Sequence, residues 1–186
     1  MDRNFSTYLI YIVIVAVVLI SLLIFSRKKT KINKKKNYQP ERILAGNLSV
    51  FFDPDENVTI IPYIKDKYGM GRATAQVLMF TAPYSAERLG KAVRKAMNGC
   101  LTGTPCNNAE LMAILEFNDW KDFSKGKRNI SVHYNEQHGV VFNTTRRKAD
   151  GSYHFNSLGL ECTLPPDTRD RELGDALIGL LKRCRC

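Results

Sequence analysis

Hydrophobic positions along this chain follow three different patterns, and each predicts a different kind of element. From Tyr8 to Phe25 there is no alternation: "YLIYIVIVAVVLISLLIF" runs for 18 residues without a charge, Pro or Gly. As a helix such a run is about 27 Å long, enough for a thin bilayer core, and it lacks the polar stripe of a helix lying on a protein surface. Fourteen of its residues are Leu, Ile, Val or Phe. Each of these favours insertion by about 0.3–0.6 kcal/mol near the bilayer centre. A cleaved secretory signal needs a basic start and a small-residue cleavage site. This chain starts "MDRNFST" and leaves the apolar run through "SRKKTKINKKK". The expectation is one uncleaved N-terminal transmembrane helix within residues 1–26, followed by a polybasic juxtamembrane linker over 27–46.

Beyond the linker the period becomes two, then 3.6, and the whole succession occurs twice. Leu48, Val50 and Phe52 recur at every second position, as do Ile130, Val132 and Tyr134, the spacing of half-buried strands. "NLSVFF" at 47–52 matches "NISVHY" at 129–134 with a shift of 82. Keeping that shift, the turns "DPDEN" and "NEQHG" lead into second strands "VTIIPYI" and "VVFNTTR". Gly69 and Gly151 mark the next turns, and third strands "AQVLMFTA" and "SLGLECTL" run into Pro83 and Pro165, which cannot continue a ladder. A helix follows in each copy, entered through Ser85 in one and Asp167 or Thr168 in the other. In the second copy it comes two residues later, so that Leu89, Gly90 and Cys100 match Leu173, Gly174 and Cys184. A helix-interior Gly costs about 1 kcal/mol relative to Ala, and the shared position predicts close approach of helix to sheet.

The predicted fold class is α+β: two pseudo-repeats of strand-strand-strand-helix forming antiparallel sheet structure with the helices packed on it. Repeat one spans 47–100 and repeat two 129–186, within one domain over 47–186. Neither half can cover its own apolar face, so the two must pack together. The connecting segment 101–128 carries a short helix around "AELMAILEF" and then Trp120 and Phe123, which are expected to cap one end of the core.

Charge changes this picture only at the N-terminus. The formal net charge is +10, but residues 1–36 hold eight bases and one acid, and the rest of the chain is nearly balanced. Arg27, Lys28, Lys29, Lys31, Lys34, Lys35 and Lys36 follow the apolar run and only Arg3 precedes it. The positive-inside bias then predicts a single-pass inner-membrane protein, with the N-terminus outside and the domain in the cytoplasm. Nucleic acid is not an expected partner, because the domain has no aromatic-interleaved basic stripe.

Candidate chemistry is sparse. His133, His138 and His154 lack carboxylate or thiol partners at ligand spacing. Five cysteines, at 100, 106, 162, 184 and 186, contain no CxxC pair. "GMG" at 69–71 sits in a hairpin rather than before a helix. No catalytic, metal or cofactor site is expected, and the protein reads as a non-enzyme.

Several short motifs share an order and spacing with a known family. An "LG.A" helix ends each half, "W..FSK" is followed by "ISV", a glycine-containing hairpin comes next, and "ELG.AL...L..C" closes the chain. Over residues 47–186 this resembles the immunity proteins of bacterial contact-dependent growth inhibition systems. The resemblance implies a protein that binds and neutralises the toxic C-terminal domain of a cognate effector; the membrane anchor departs from the usual family pattern. Asp53, Asp55 and Glu56 stand where the second copy has Asn135, Gln137 and His138, and an acidic loop would suit a basic toxin. They are the toxin-contact candidates, set against the plainer reading of a solvated hairpin turn. The alternative function is a membrane-tethered sensor or assembly module with no toxin partner.

Overall fold

The computed structural model describes residues 16–24, 40–156 and 161–184. The chain divides into two compact units, Met1–Gln39 and Pro40–Cys186. In the first, residues 16–24 are helical (α1) and exposed. Among the described residues no helix is long and apolar enough to cross a membrane. The remainder of the expected span, residues 8–15 and 25, and the basic run 27–36 lie outside the described residues.

The second unit is α+β. Its elements are β1 (Asn47–Phe52), β2 (Val58–Lys65), β3 (Gly71–Ala73), β4 (Leu78–Phe80), α2 (Ala86–Gly99), α3 (Asn108–Leu115), α4 (Trp120–Ser124), β5 (Arg128–Asn135), β6 (Gly139–Arg147), β7 (Tyr153–Phe155), β8 (Cys162–Leu164) and α5 (Asp170–Leu181). All eight strands join one antiparallel sheet in the order β3-β2-β1-β5-β6-β7, with β4 also on β2 and β8 also on β6. Each half therefore has four strands, not three. The expected third strands, 75–82 and 157–164, hold β4 and β8, and an additional three-residue strand, β3 or β7, precedes each.

Strand registers reveal a pseudo-twofold axis. Val50 lies opposite Ile60 and Val132 opposite Phe142, the same pairing displaced by 82 residues. At the centre, Ser49 of β1 pairs with its own repeat equivalent, Ser131 of β5. The β3 and β7 registers keep the shift of 82, with Ala73 opposite Tyr63 and Phe155 opposite Thr145. At β4 and β8 the shift becomes 84, because Phe80 faces Val58 while Leu164 faces Val140. The two extra residues of the second copy thus enter between β7 and β8, ahead of the helix approach. Matching Pro83 to Pro165 is a coincidence of sequence; Pro83 corresponds to Asp167.

The helices obey the same axis. Ser85 caps α2 by accepting a hydrogen bond from the Arg88 amide (3.1 Å). Its equivalent ahead of α5 is Arg169, displacing the expected caps Asp167 and Thr168. Arg169 has no side-chain acceptor, so Glu172 reaches back instead, accepting from the Arg169 amide (3.0 Å) and the Thr168 hydroxyl (2.6 Å). A Cβ on Gly90 would strike the Asp170 carbonyl, and one on Gly174 the Ala86 carbonyl. The shared glycines therefore serve helix-on-helix contact, in place of the helix-on-sheet approach that their spacing points to. Cys100 and Cys184 tie the helix ends back to the strands, each thiol donating to the first backbone carbonyl of its copy, Asn47 (3.4 Å) and Asn129 (3.3 Å).

The inner face of the sheet is apolar throughout. Leu48, Val50, Val58 and Ile60, with Ile130, Val132, Val140 and Phe142, pack under Leu89, Val93, Met97, Leu173, Leu177 and Leu181. On the outer face, the connecting segment covers the first half. Phe51 meets Trp120, Phe123 and Tyr153 edge-on at 5.7, 5.1 and 5.5 Å between ring centroids. Trp120 and Phe123 thus form part of a second layer, not an end cap on the first core. Sheet with helices on both faces is a stable layer solution.

Residues 40–46 belong to this unit as a strap. Ile43 is fully buried and its amide donates to the Pro166 carbonyl (2.9 Å). Arg94 of α2 is buried beside Asp170, Nε to Oδ1 2.6 Å, and its other nitrogens donate to the carbonyls of Glu41 and Thr168. A single guanidinium joins α2, the start of α5 and the strap.

Candidate interaction surface

The acidic turn joins β1 to β2 and is built from its own hydrogen bonds. Asp53 accepts from the Asn57 amide (2.8 Å) and from Asn57 Nδ2 (2.9 Å), so both carboxylate oxygens hold the turn. Glu56 adopts a left-handed φ of 63°, and its carbonyl accepts from the Tyr84 hydroxyl (2.9 Å). Its carboxylate lies 3.8 Å from Arg128. Asp55 is exposed. The three candidates sit together, yet they do not form an isolated negative patch, because Arg128 pairs with one of them and Lys127 feels Asp53.

Lys127 shows how firmly that corner is packed. Its ammonium sits 4.9 Å from the Phe117 ring centroid and 4.8 Å from that of Phe123. Burial pushes its pKa down, and the nearby Asp53 and Asp122 carboxylates oppose that shift. Cation–π contact with two rings keeps an amphipathic side chain against apolar surface.

A concavity lies elsewhere. A groove of about 760 Å³ opens between β3 and the helices of the connecting segment, walled by Tyr63, Ala73, Cys106, Met112, Phe117 and Trp120. Arg72, Asn108 and Asp119 also line it. α3 is aimed by a capping box, in which Asn107 accepts from the Glu110 amide (2.9 Å) and Glu110 accepts from the Asn107 amide (2.8 Å). Trp120 is fixed by donation from its indole to the Gly151 carbonyl (3.0 Å). Periodicity misses this groove because β3 is three residues long and its wall comes from a segment that the strands reach only in three dimensions.

Burial is the main cause of the shifted thiol, imidazole and phenol groups. Burial pushes the thiols of Cys100, Cys106 and Cys162 up, away from the nucleophilic thiolate. Burial holds the His133 imidazole below its ordinary pKa. Tyr63 has its phenol pushed up by burial, opposed by a hydrogen bond with Ser49. Among the described residues no three His, Cys, Asp or Glu side chains converge to hold a metal ion. What the outer surface offers is a shaped, half-apolar groove with charged residues along it, suited to binding.

No protein-family model matches the sequence, and no curated protein does. Solved structures are similar in fold. A protein of unknown function, NMB0488 from Neisseria meningitidis, superimposes with a TM-score of 0.59 at 12% identity, over 80% of this chain and all of that one. A chain of the CdiA-CT/CdiI toxin and immunity complex from Yersinia pseudotuberculosis superimposes with a TM-score of 0.56 at 14% identity, over 77% of this chain and 99% of that one.

Proposed function

We propose that this protein is an immunity protein, one that binds the toxic C-terminal domain of a cognate contact-dependent growth inhibition effector and blocks it. The observation that carries this reading is the similarity in fold to a chain of the Yersinia toxin and immunity complex along nearly its whole length. The sequence motifs over residues 47–186 point the same way. Inhibition is stoichiometric and needs no turnover.

The groove beside β3 is the better docking place for the toxin, since a preformed concavity that joins apolar walls to a few polar and charged groups favours specific binding. Asp55 and Glu56 contribute at most at its periphery, because Arg128 already answers part of their charge. The N-terminal apolar run serves as a single-pass inner-membrane anchor that keeps the domain on the cytoplasmic side, where a delivered toxin must pass.

Co-expression with the toxin domain of the neighbouring large exoprotein, followed by pull-down and a growth assay, tests this reading. One-to-one capture with restored growth supports it; growth arrest despite folded protein rejects it. Ala113 is exposed and lines the groove, so Ala113→Arg is expected to weaken toxin affinity at least tenfold. Asp55→Lys is expected to weaken it less than threefold.

A further inference from the structure

One end of the sheet carries an apolar and basic surface that the toxin-binding reading leaves unused. The β2–β3 turn projects Tyr68, 77% exposed, and Met70, 63% exposed. The turn is rigid. Asp66 accepts from the amides of Tyr68 (2.8 Å) and Met70 (2.9 Å) and from Arg72 Nε (3.1 Å), so its charge is used within the turn. Lys67 lies 4.9 Å from the Tyr68 ring centroid, and Lys65 stands at the base of the turn. An aromatic ring and a thioether beside lysines are the composition of a membrane-interface contact.

The neighbouring surface has the same character. Leu44 of the strap is 60% exposed and Leu101, just past α2, is 67% exposed. Both border a cavity of about 610 Å³ together with Ile64 and Lys65 at the root of the turn, and Glu136 is the acidic residue on its wall. β1 begins here, with Asn47 opposite Tyr63. On the reading proposed above, the apolar run Tyr8–Phe25 and the seven bases after it in the sequence are the chain's own attachment to an anionic leaflet.

We infer that the β2–β3 turn, with Leu44 and Leu101 beside it, is a lipid-facing surface that rests on anionic phospholipid while the groove beside β3 stays open to the toxin. This rests on the proposed membrane anchor, and the two can fail separately. Apolar tips insert among the acyl chains, and Lys65 and Lys67 lie among the headgroups.

The test uses the full chain reconstituted in vesicles of phosphatidylcholine mixed with phosphatidylserine, or of phosphatidylcholine alone, with brominated acyl chains that quench tryptophan. The wild-type chain has one tryptophan, Trp120, so Met70→Trp adds a second reporter at an exposed site. Extra quenching of that reporter in the serine-containing vesicles is expected. Adding Lys65→Gln or Lys67→Gln should lower tip occupancy about fivefold each. Alkaline carbonate extraction of the same vesicles reports on the anchor. If the chain resists extraction and position 70 is not quenched, the lipid-facing surface is overturned and the anchor stands. Quenching before the wash by a chain that is then extracted supports the surface and removes the anchor. A reporter shielded only when toxin domain is added overturns the inference, since the turn would then belong to the toxin site.

Discussion

The two halves of the domain share an inner face and differ on the outer one. Facing α2 and α5, the equivalent pairs are Leu48 and Ile130, Val50 and Val132, Val58 and Val140, Ile60 and Phe142, all apolar and buried. Facing the other way, Phe51, Ile61 and Tyr63 in the first half become His133, Asn143 and Thr145 in the second. The first set lies under the connecting segment with its aromatic cluster. The second set is polar, and Thr145 Oγ1 donates to the Asn129 carbonyl (2.7 Å). Symmetry is kept where two helices must meet across the axis, and it is relaxed where only one half carries a covering layer.

Breaking the asymmetric link between the halves should have the largest effect. Arg94 has Ile178 as its repeat equivalent, so its bonds to Asp170, Thr168 and Glu41 exist once. Arg94→Ala takes the guanidinium away from the buried Asp170 carboxylate and from two backbone carbonyls, and is expected to cost about 3–5 kcal/mol in urea unfolding. Phe51→Ala empties the aromatic cluster and should cost about 3–4 kcal/mol, whereas His133→Ala at the matching position should cost under about 1 kcal/mol. Equal losses at the two positions would remove the contrast drawn between the outer faces. Gly90→Ala and Gly174→Ala should each destabilise by about 1–3 kcal/mol through helix–helix overlap. That sign is opposite to the gain of about 1 kcal/mol that helix propensity alone would give, and similar values at both sites would support the axis.

The smallest expected effect is on pH dependence. His133 has its pKa lowered by burial, so below about pH 6.5 the unfolded chain binds the proton more readily than the fold does. Stability contributed by the neutral imidazole is therefore present above that pH and lost as pH falls towards the folded value. His133→Asn should flatten the midpoint-versus-pH curve below about pH 6.5; an unchanged slope would assign it to other groups.

The inner face was legible because its residues recur at every second position in both copies. The outer face was not. In "SVFF" and "VTIIPYI" the apolar residues of the two faces merge into runs, and periodicity cannot say which element will cover Phe51 or Ile61. β3 and β7 are three residues each, too short to carry a period, and their pairing together with that of β4 and β8 locates the two-residue insertion. The glycines at 90 and 174 stood out by position, but their partner is a helix 84 residues away. For the candidate surface, the acidic turn could be seen as acidic, though the engagement of Asp53 with Asn57 could not. The groove depends on the connecting segment folding back, which no local signal in residues 101–128 announces.

The strap fixes where a mechanical load would enter. Tension arriving along the chain ahead of residue 40 meets Ile43 bound to Pro166 and Glu41 bound to Arg94 before it reaches β1. Pulling therefore acts first on the junction between α2 and α5, and the central strand pair of the sheet is sheltered from being unzipped from its end.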